Sequence, residues 1–205
     1  MHVRYNARMQ RKIVLASASP QRKQLLMGLK IPFDVYVTGV EDESDVTHCD
    51  PVERAQFFAR QKAERARAVH PDAWIVGCDT FVVAADGTLL EKPLNAEDAR
   101  AMLQLQSGKT SLVHSGLCVV NPQGGMQEGL STSSVTFKSL SPQEVDWWIS
   151  TKLWEGRSGS FQIDGPGQLM IERLEGDWSS VVGLPLFLLG ELLKKAGWDL
   201  LAEKK

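Results

Sequence analysis

Short β-branched runs alternate with longer helical patterns along most of this chain, and helix after helix is announced by a cap. That alternation admits little besides a sheet layered with helices. KIVLAS (12–17) reads as a strand, and Ser19 and Pro20 then open a helix through Leu29, with Ser19 as N-cap and proline at the first helical position. FDVYVT (33–38) is a second strand. Asp50-Pro51-Val52-Glu53 has the form of a capping box launching a helix to about Val69. WIVGCDTFVVA (74–84) is one long apolar strand, and Asp86-Gly87 is a hairpin turn into TLLEKP. Asn95 caps a helix through Gln106, and SLVHSGLCVV and SSVTFKSL are strands either side of the NPQGG turn. Ser141-Pro142-Gln143-Glu144 is another capping box, for a helix carrying Trp147 and Trp148. A Gly-rich stretch (156–167), a hairpin in QLMIERLEGDWSSVVG and a last helix from Pro185 to about Ala196 complete the pattern. The expected fold is α/β, a mixed central sheet flanked by helices, in one domain over 12–200 between an N-terminal extension (1–11) and a short tail (201–205).

The bulk numbers limit the function classes. The 205 residues suffice for a sizeable core, and 43% hydrophobic with 23% charged residues is ordinary globular composition. A net charge of −2 argues against a general nucleic-acid surface. Cys49, Cys78 and Cys118 lie far apart without a CxxC pair, which suits thiols in a reducing compartment. The basic N-terminus lacks a signal peptide's apolar stretch and no run approaches membrane-spanning length, so a cytoplasmic protein with no membrane partner is expected. The charge is uneven: Arg4 through Lys30 include seven cations with no Asp or Glu before Asp34, and then Glu41, Asp42, Glu43 and Asp45 cluster. One part suits an anion and the other a cation, although two solvated surface runs would read the same way.

Four segments carry residues suited to chemistry. ASASPQRKQLL (16–26) places Ser17, Ser19, Arg22 and Lys23 around a helix N-terminus, where unpaired N–H groups favour phosphate; a plain cap is the alternative. Asp79, next to Thr80, is a carboxylate inside an apolar strand, a costly placement unless it serves a site or sits at a bulge made by Gly77. Lys62 and Lys92 stand where elements meet and, with Arg22, would supply charge for a triphosphate. SGSFQIDGPG (158–167) sets Asp164 in a run that lets backbone approach a ligand. SGKT (107–110) lacks the first glycine of a P-loop, which falls on Leu103, and follows a helix rather than a strand. The four histidines share no metal spacing and no GxSxG elbow occurs. Phe57-Phe58 and Trp147-Trp148 read as helix packing.

Taken in order, IVLASASPQRKQLL, VTGVEDE, ARQKAERA, IVGCDTFVV, LEKPLNAEDARAMLQLQSGKT and GSFQIDGPGQLMIERLEGDWSSVVGLPL resemble the Maf family of nucleotide pyrophosphatases, from about residue 12 to 196. The resemblance implies a two-lobed Maf/ITPase-like fold with a cleft, a homodimer in many members, and hydrolysis of a nucleoside triphosphate to monophosphate and pyrophosphate with Mg²⁺ or Mn²⁺, in the service of nucleotide-pool cleaning. Family roles map Ser17, Ser19, Arg22, Lys62 and Lys92 to phosphate binding, Asp79 to the general base and a metal contact, and Glu41 and Asp42 to an acidic pair near the metal. Positions 21, 80 and 164 separate the branches. The branch similar to dTTP/UTP pyrophosphatases has Arg, Thr and Gln there, and the branch similar to 7-methyl-GTP pyrophosphatases has an aromatic residue, Gln and Glu. Here Gln21 matches neither, Thr80 matches the first and Asp164 matches the second by charge. Asp42 stands where Glu is usual and Ser111 where the family has His. A second reading is a non-catalytic nucleotide-binding regulator of septum formation, since the family has been linked to division.

Overall fold

The computed structural model describes residues 12–39 and 50–198. Its seven strands, β1 (Ile13–Ala16), β2 (Phe33–Val35), β3 (Trp74–Val83), β4 (Leu89–Leu90), β5 (Thr110–Val120), β6 (Met126–Phe137) and β7 (Ile171–Glu175), form one mixed sheet in the order β2-β1-β3-β5-β6-β7, with β4 also on β3. β1 pairs in parallel with β2 and β3, and the remaining pairs are antiparallel. The four residues of β1 are wholly buried, as expected of a parallel strand covered on both faces.

Capping chemistry sets the helices. Ser19 caps α1 (Pro20–Gly28) by accepting from the Arg22 N–H, and Asn95 caps α3 (Ala96–Gln106) by accepting from that of Asp98. Ser141 and Glu144 form the full reciprocal box at α4 (Pro142–Thr151). At α2 (Pro51–Val69), Asp50 caps through the Val52 N–H instead. This is a tighter Asx contact than the expected box, because Asp reaches two residues on more readily than three.

Three other expectations change. β2 ends at Val35 rather than residue 38, since β1 stops at Ala16 and offers no further ladder. β6 (Met126–Phe137) starts seven residues before Ser133, its half-exposed first half hidden from a hydrophobic reading by Gln127, Glu128 and Gly129 but paired along β5 (Thr110–Val120). QLMIERLEGDWSSVVG is not a hairpin. It forms a 3₁₀ turn to Met170, an edge strand β7 (Ile171–Glu175) on β6, and a short helix α5 (Trp178–Val182). Asp177 accepts from the N–H groups of Ser179 and Ser180, and this cap overrides the β propensity of Val181-Val182.

On one face of the sheet α2 lays down Ala55, Ala59, Ala63 and Ala66, all fully buried, a stripe at helical spacing. On the other, α6 (Leu186–Lys195) packs Leu189, Leu192 and Leu193 over Leu15, Val76 and Leu117. A third cluster lies under α3 and α4, where Trp148 is buried and donates from Nε1 to the Ser160 carbonyl at 2.8 Å. Each aromatic pair is split: Phe58 and Trp148 pack inside, while Phe57 and Trp147 are exposed. Among the described residues no helix is long and apolar enough to cross a membrane.

His114 on β5 is buried, with Nδ1 3.0 Å from Thr132 Oγ1, and burial pushes its pKa below the ordinary 6.5. The unfolded chain therefore binds a proton that the fold refuses. The contribution is full above pH ~6.5 and is lost as pH falls through the lower folded value. The melting temperature is expected to drop more between pH 7.5 and 5.5 in the wild type than in His114→Gln; equal slopes would remove His114 from the account.

Candidate active site

β3 outruns β1. Their register ends at Ala16 opposite Gly77, and β4 (Leu89–Leu90) joins the same side of β3 only at Val82 and Val83. Between these, past the carboxyl end of β1, Asp79 and Thr80 keep β5 on one side but have neither β1 nor β4 on the other, which leaves an opening at the position where α/β sheets bind ligands. No bulge occurs at Gly77: β3 stays in continuous register with β5 from Ile75 to Val83. The opening is a cleft of about 660 Å³.

The chain leaving β1 supplies one wall. Ser17 Oγ accepts from the Ser19 N–H at 3.1 Å and from Arg22 Nη1 at 3.2 Å. Arg22, on the first turn of α1, is buried; its Nε donates to the Gly183 carbonyl at 2.7 Å and its Nη2 to Thr80 Oγ1 at 3.3 Å. α2 supplies the other cation: Lys62 Nζ donates to Asp79 Oδ1 at 2.8 Å, and Arg22 Nη2 stands 3.7 Å from the same oxygen. The three side chains are 11–17% exposed, so two cations and one anion share a poorly hydrated pocket with a surplus of positive charge. Such a surplus suits a polyanion.

The sequence-derived residues Ser17, Ser19, Gln21, Arg22, Lys62, Asp79, Thr80, Lys92 and Asp164 all line this cleft. Gln21, on the first turn of α1, accepts from Ser19 Oγ at 3.2 Å. Lys92 is exposed at the mouth. Glu41 and Asp42 lie outside the described residues. SGKT is absent from the cleft lining; it links α3 to β5, with the Gly108 N–H donating to the Lys138 carbonyl. Cys78, next to Asp79, is buried and donates to the Gly183 carbonyl at 3.1 Å; burial raises its pKa, and that of Cys118 to about 12, which leaves both thiols inert as nucleophiles.

Several participants escape a reading of the sequence. Arg157 lines the cleft beside Asp164, desolvation lowers its pKa, and its buried Nε has no hydrogen-bond partner. Its signal was a cation inside the Gly-rich stretch. Arg54 is 6% exposed, lies over the Phe81 ring at 4.9 Å and donates to Glu91 at 2.8 Å, anchoring the residue before Lys92. Ser111 donates to Gln106 Oε1, and Gln106 Nε2 donates to the Gly159 carbonyl at 2.7 Å, bracing the wall that bears Arg157 and Asp164.

The sequence pattern of the family described as Maf-like protein matches residues 12–196. A Deinococcus radiodurans protein named dTTP/UTP pyrophosphatase is 42% identical over 186 residues, covering 91% of this chain and 93% of its own length. A Moorella thermoacetica protein of the same name is 38% identical over 189 residues, covering 92% and 96%. The family match takes in every element that lines the cleft, and the relatives align over nearly their whole length: this chain belongs to the Maf family.

Proposed function

We propose that this protein hydrolyses a nucleoside triphosphate to the monophosphate and pyrophosphate. The observation that carries the reading is Asp79, set in the cleft with Lys62 at 2.8 Å and Arg22 at 3.7 Å from the same carboxylate oxygen. In this reading Asp79 takes a proton from water as the water oxygen bonds to the α-phosphorus and the bond to the β-phosphate oxygen breaks. Arg22, Lys62 and Lys92 neutralise the triphosphate and the departing pyrophosphate, and Ser17 and Ser19 with the α1 N-terminus hold phosphate oxygens.

A divalent cation fits this donor set. Among the described residues no group of three His, Cys, Asp or Glu side chains could hold a metal alone. One carboxylate in a phosphate-binding cleft is nevertheless a usual arrangement for Mg²⁺ or Mn²⁺, which take remaining ligands from phosphate and water. Asp79, joined by Glu41 and Asp42, would hold the ion, and bound there it would draw charge from the phosphate oxygens.

For the base, Asp164 and Arg157 offer an acceptor and a donor on one wall. That pair matches the N3–H and carbonyl of thymine or uracil, in keeping with the relatives' names. The test is pyrophosphate release by the purified chain with Mg²⁺ or Mn²⁺ on dTTP, UTP, CTP, GTP and 7-methyl-GTP. Release fastest on dTTP and UTP is expected. Tight triphosphate binding without release under either metal would overturn hydrolysis in favour of a binding regulator.

A further inference from the structure

Thr80 follows Asp79 on β3 but faces the opposite side of the sheet, and its hydroxyl is the middle of a chain of hydrogen bonds. Arg22 Nη2 lies 3.3 Å from Thr80 Oγ1, Thr80 Oγ1 2.9 Å from Ser115 Oγ, and Ser115 Oγ 2.9 Å from the Ser180 carbonyl oxygen. Ser115 is fully buried on β5, directly opposite Thr80 in the register.

The two ends fix the direction of this chain. A guanidinium can only donate and a carbonyl can only accept, while each hydroxyl between them has a single proton. Ser115 gives its proton to Ser180, so Thr80 gives its own to Ser115 and receives Arg22 on a lone pair. The reverse order would strip the Ser180 carbonyl of the Ser115 bond, which is costly in a buried site. Of a guanidinium's five N–H groups, Arg22 spends one each on Gly183, Ser17 and Thr80, leaving two for Asp79 and the phosphates.

We propose that Ser115 is a positioning residue that fixes the Thr80 hydroxyl as an acceptor for Arg22, so that Thr80 acts on the triphosphate through Arg22 and has no proton to offer a nucleobase. The inference rests on the reading of Arg22 as a phosphate-binding residue. It reassigns Thr80 from reading the base to orienting the guanidinium, and leaves base discrimination to the wall bearing Asp164.

Ser115→Ala, Thr80→Val and the double variant separate this from simple packing. Each single change is expected to lower kcat/KM about tenfold, the loss of one hydrogen bond to a charged group, and by the same factor on dTTP, UTP, CTP and GTP. The double variant is expected to be no worse than Thr80→Val alone, because both changes cut one chain. Thr80→Ser, which keeps the hydroxyl, is expected to recover most of what Thr80→Val loses. Binding of inorganic tripolyphosphate, followed by calorimetry, should weaken in Ser115→Ala by a similar factor, a readout independent of turnover. Additive losses, a loss confined to one base, unweakened tripolyphosphate binding, or a Thr80→Ser variant as impaired as Thr80→Val would each overturn the proposal. A wild-type chain that releases no pyrophosphate, but whose tripolyphosphate binding responds to Ser115→Ala, would sink the hydrolase reading and leave this one standing.

Discussion

Asp79→Asn is expected to lower kcat for pyrophosphate release by about a thousandfold while leaving triphosphate affinity equal to the wild type's or tighter. The split follows from the site's charges. Asparagine keeps the volume and the place on β3 but cannot take a proton from water, so the general-base contribution is lost. Lys62 and Arg22 are then freed of the anion they share at 2.8 and 3.7 Å, and a pocket carrying two uncompensated cations holds a polyanion at least as well. Single-turnover release gives the first quantity and calorimetry with the triphosphate in the variant the second. If kcat holds while affinity collapses, Asp79 serves binding instead. Unchanged turnover removes it from the chemistry altogether.

That the site falls at Asp79 was legible because a carboxylate in an apolar strand has few inexpensive explanations. Arg22 and Lys62 were legible as cations, yet only the fold brings them to one carboxylate: 40 residues of chain separate them, and they meet because α1 follows the short β1 while α2 packs along β3. The helix starts at Ser19, Asn95 and Ser141 were readable because capping is decided within a few residues. The failures share the opposite cause. β6 extends through the polar stretch after Met126 because β5 offers it a partner, and WSSVV folds as a helix because one side chain, Asp177, caps it. Ser115 carried no signal in the sequence at all. Its role exists only in the β3–β5 register, which places its hydroxyl opposite Thr80.

Gly116→Ala is expected to destabilise the protein by about 3 kcal/mol, which for a chain near this length lowers the melting temperature by about 6–12 °C. A Cβ on Gly116 would stand 2.3 Å from the Ala55 carbonyl oxygen and 2.4 Å from its carbon, and one on Gly77 would stand 2.2 Å from the Ala59 carbonyl oxygen. The obstructing atoms are helix backbone, so no rotamer change relieves the clash; α2 must lift as a body or the sheet must bend. These two glycines and the alanine stripe of α2 are thus one device for seating a helix closer to a sheet than ordinary side chains allow. The closeness serves the site, since Lys62 precedes Ala63 of that stripe and reaches Asp79 two residues beyond Gly77. Lifting α2 therefore lengthens the Lys62–Asp79 contact, and kcat/KM should fall in the same variant at temperatures well below its melting point. Gly190→Ala is the control: it lies inside α6 with no atom within 4 Å of the added Cβ, and is expected to stabilise by about 0.5–1 kcal/mol with activity intact. A Gly116→Ala protein as stable as the wild type would mean that α2 rests on the sheet loosely enough to yield, and the coupling between helix seating and the Lys62–Asp79 pair would be lost with it.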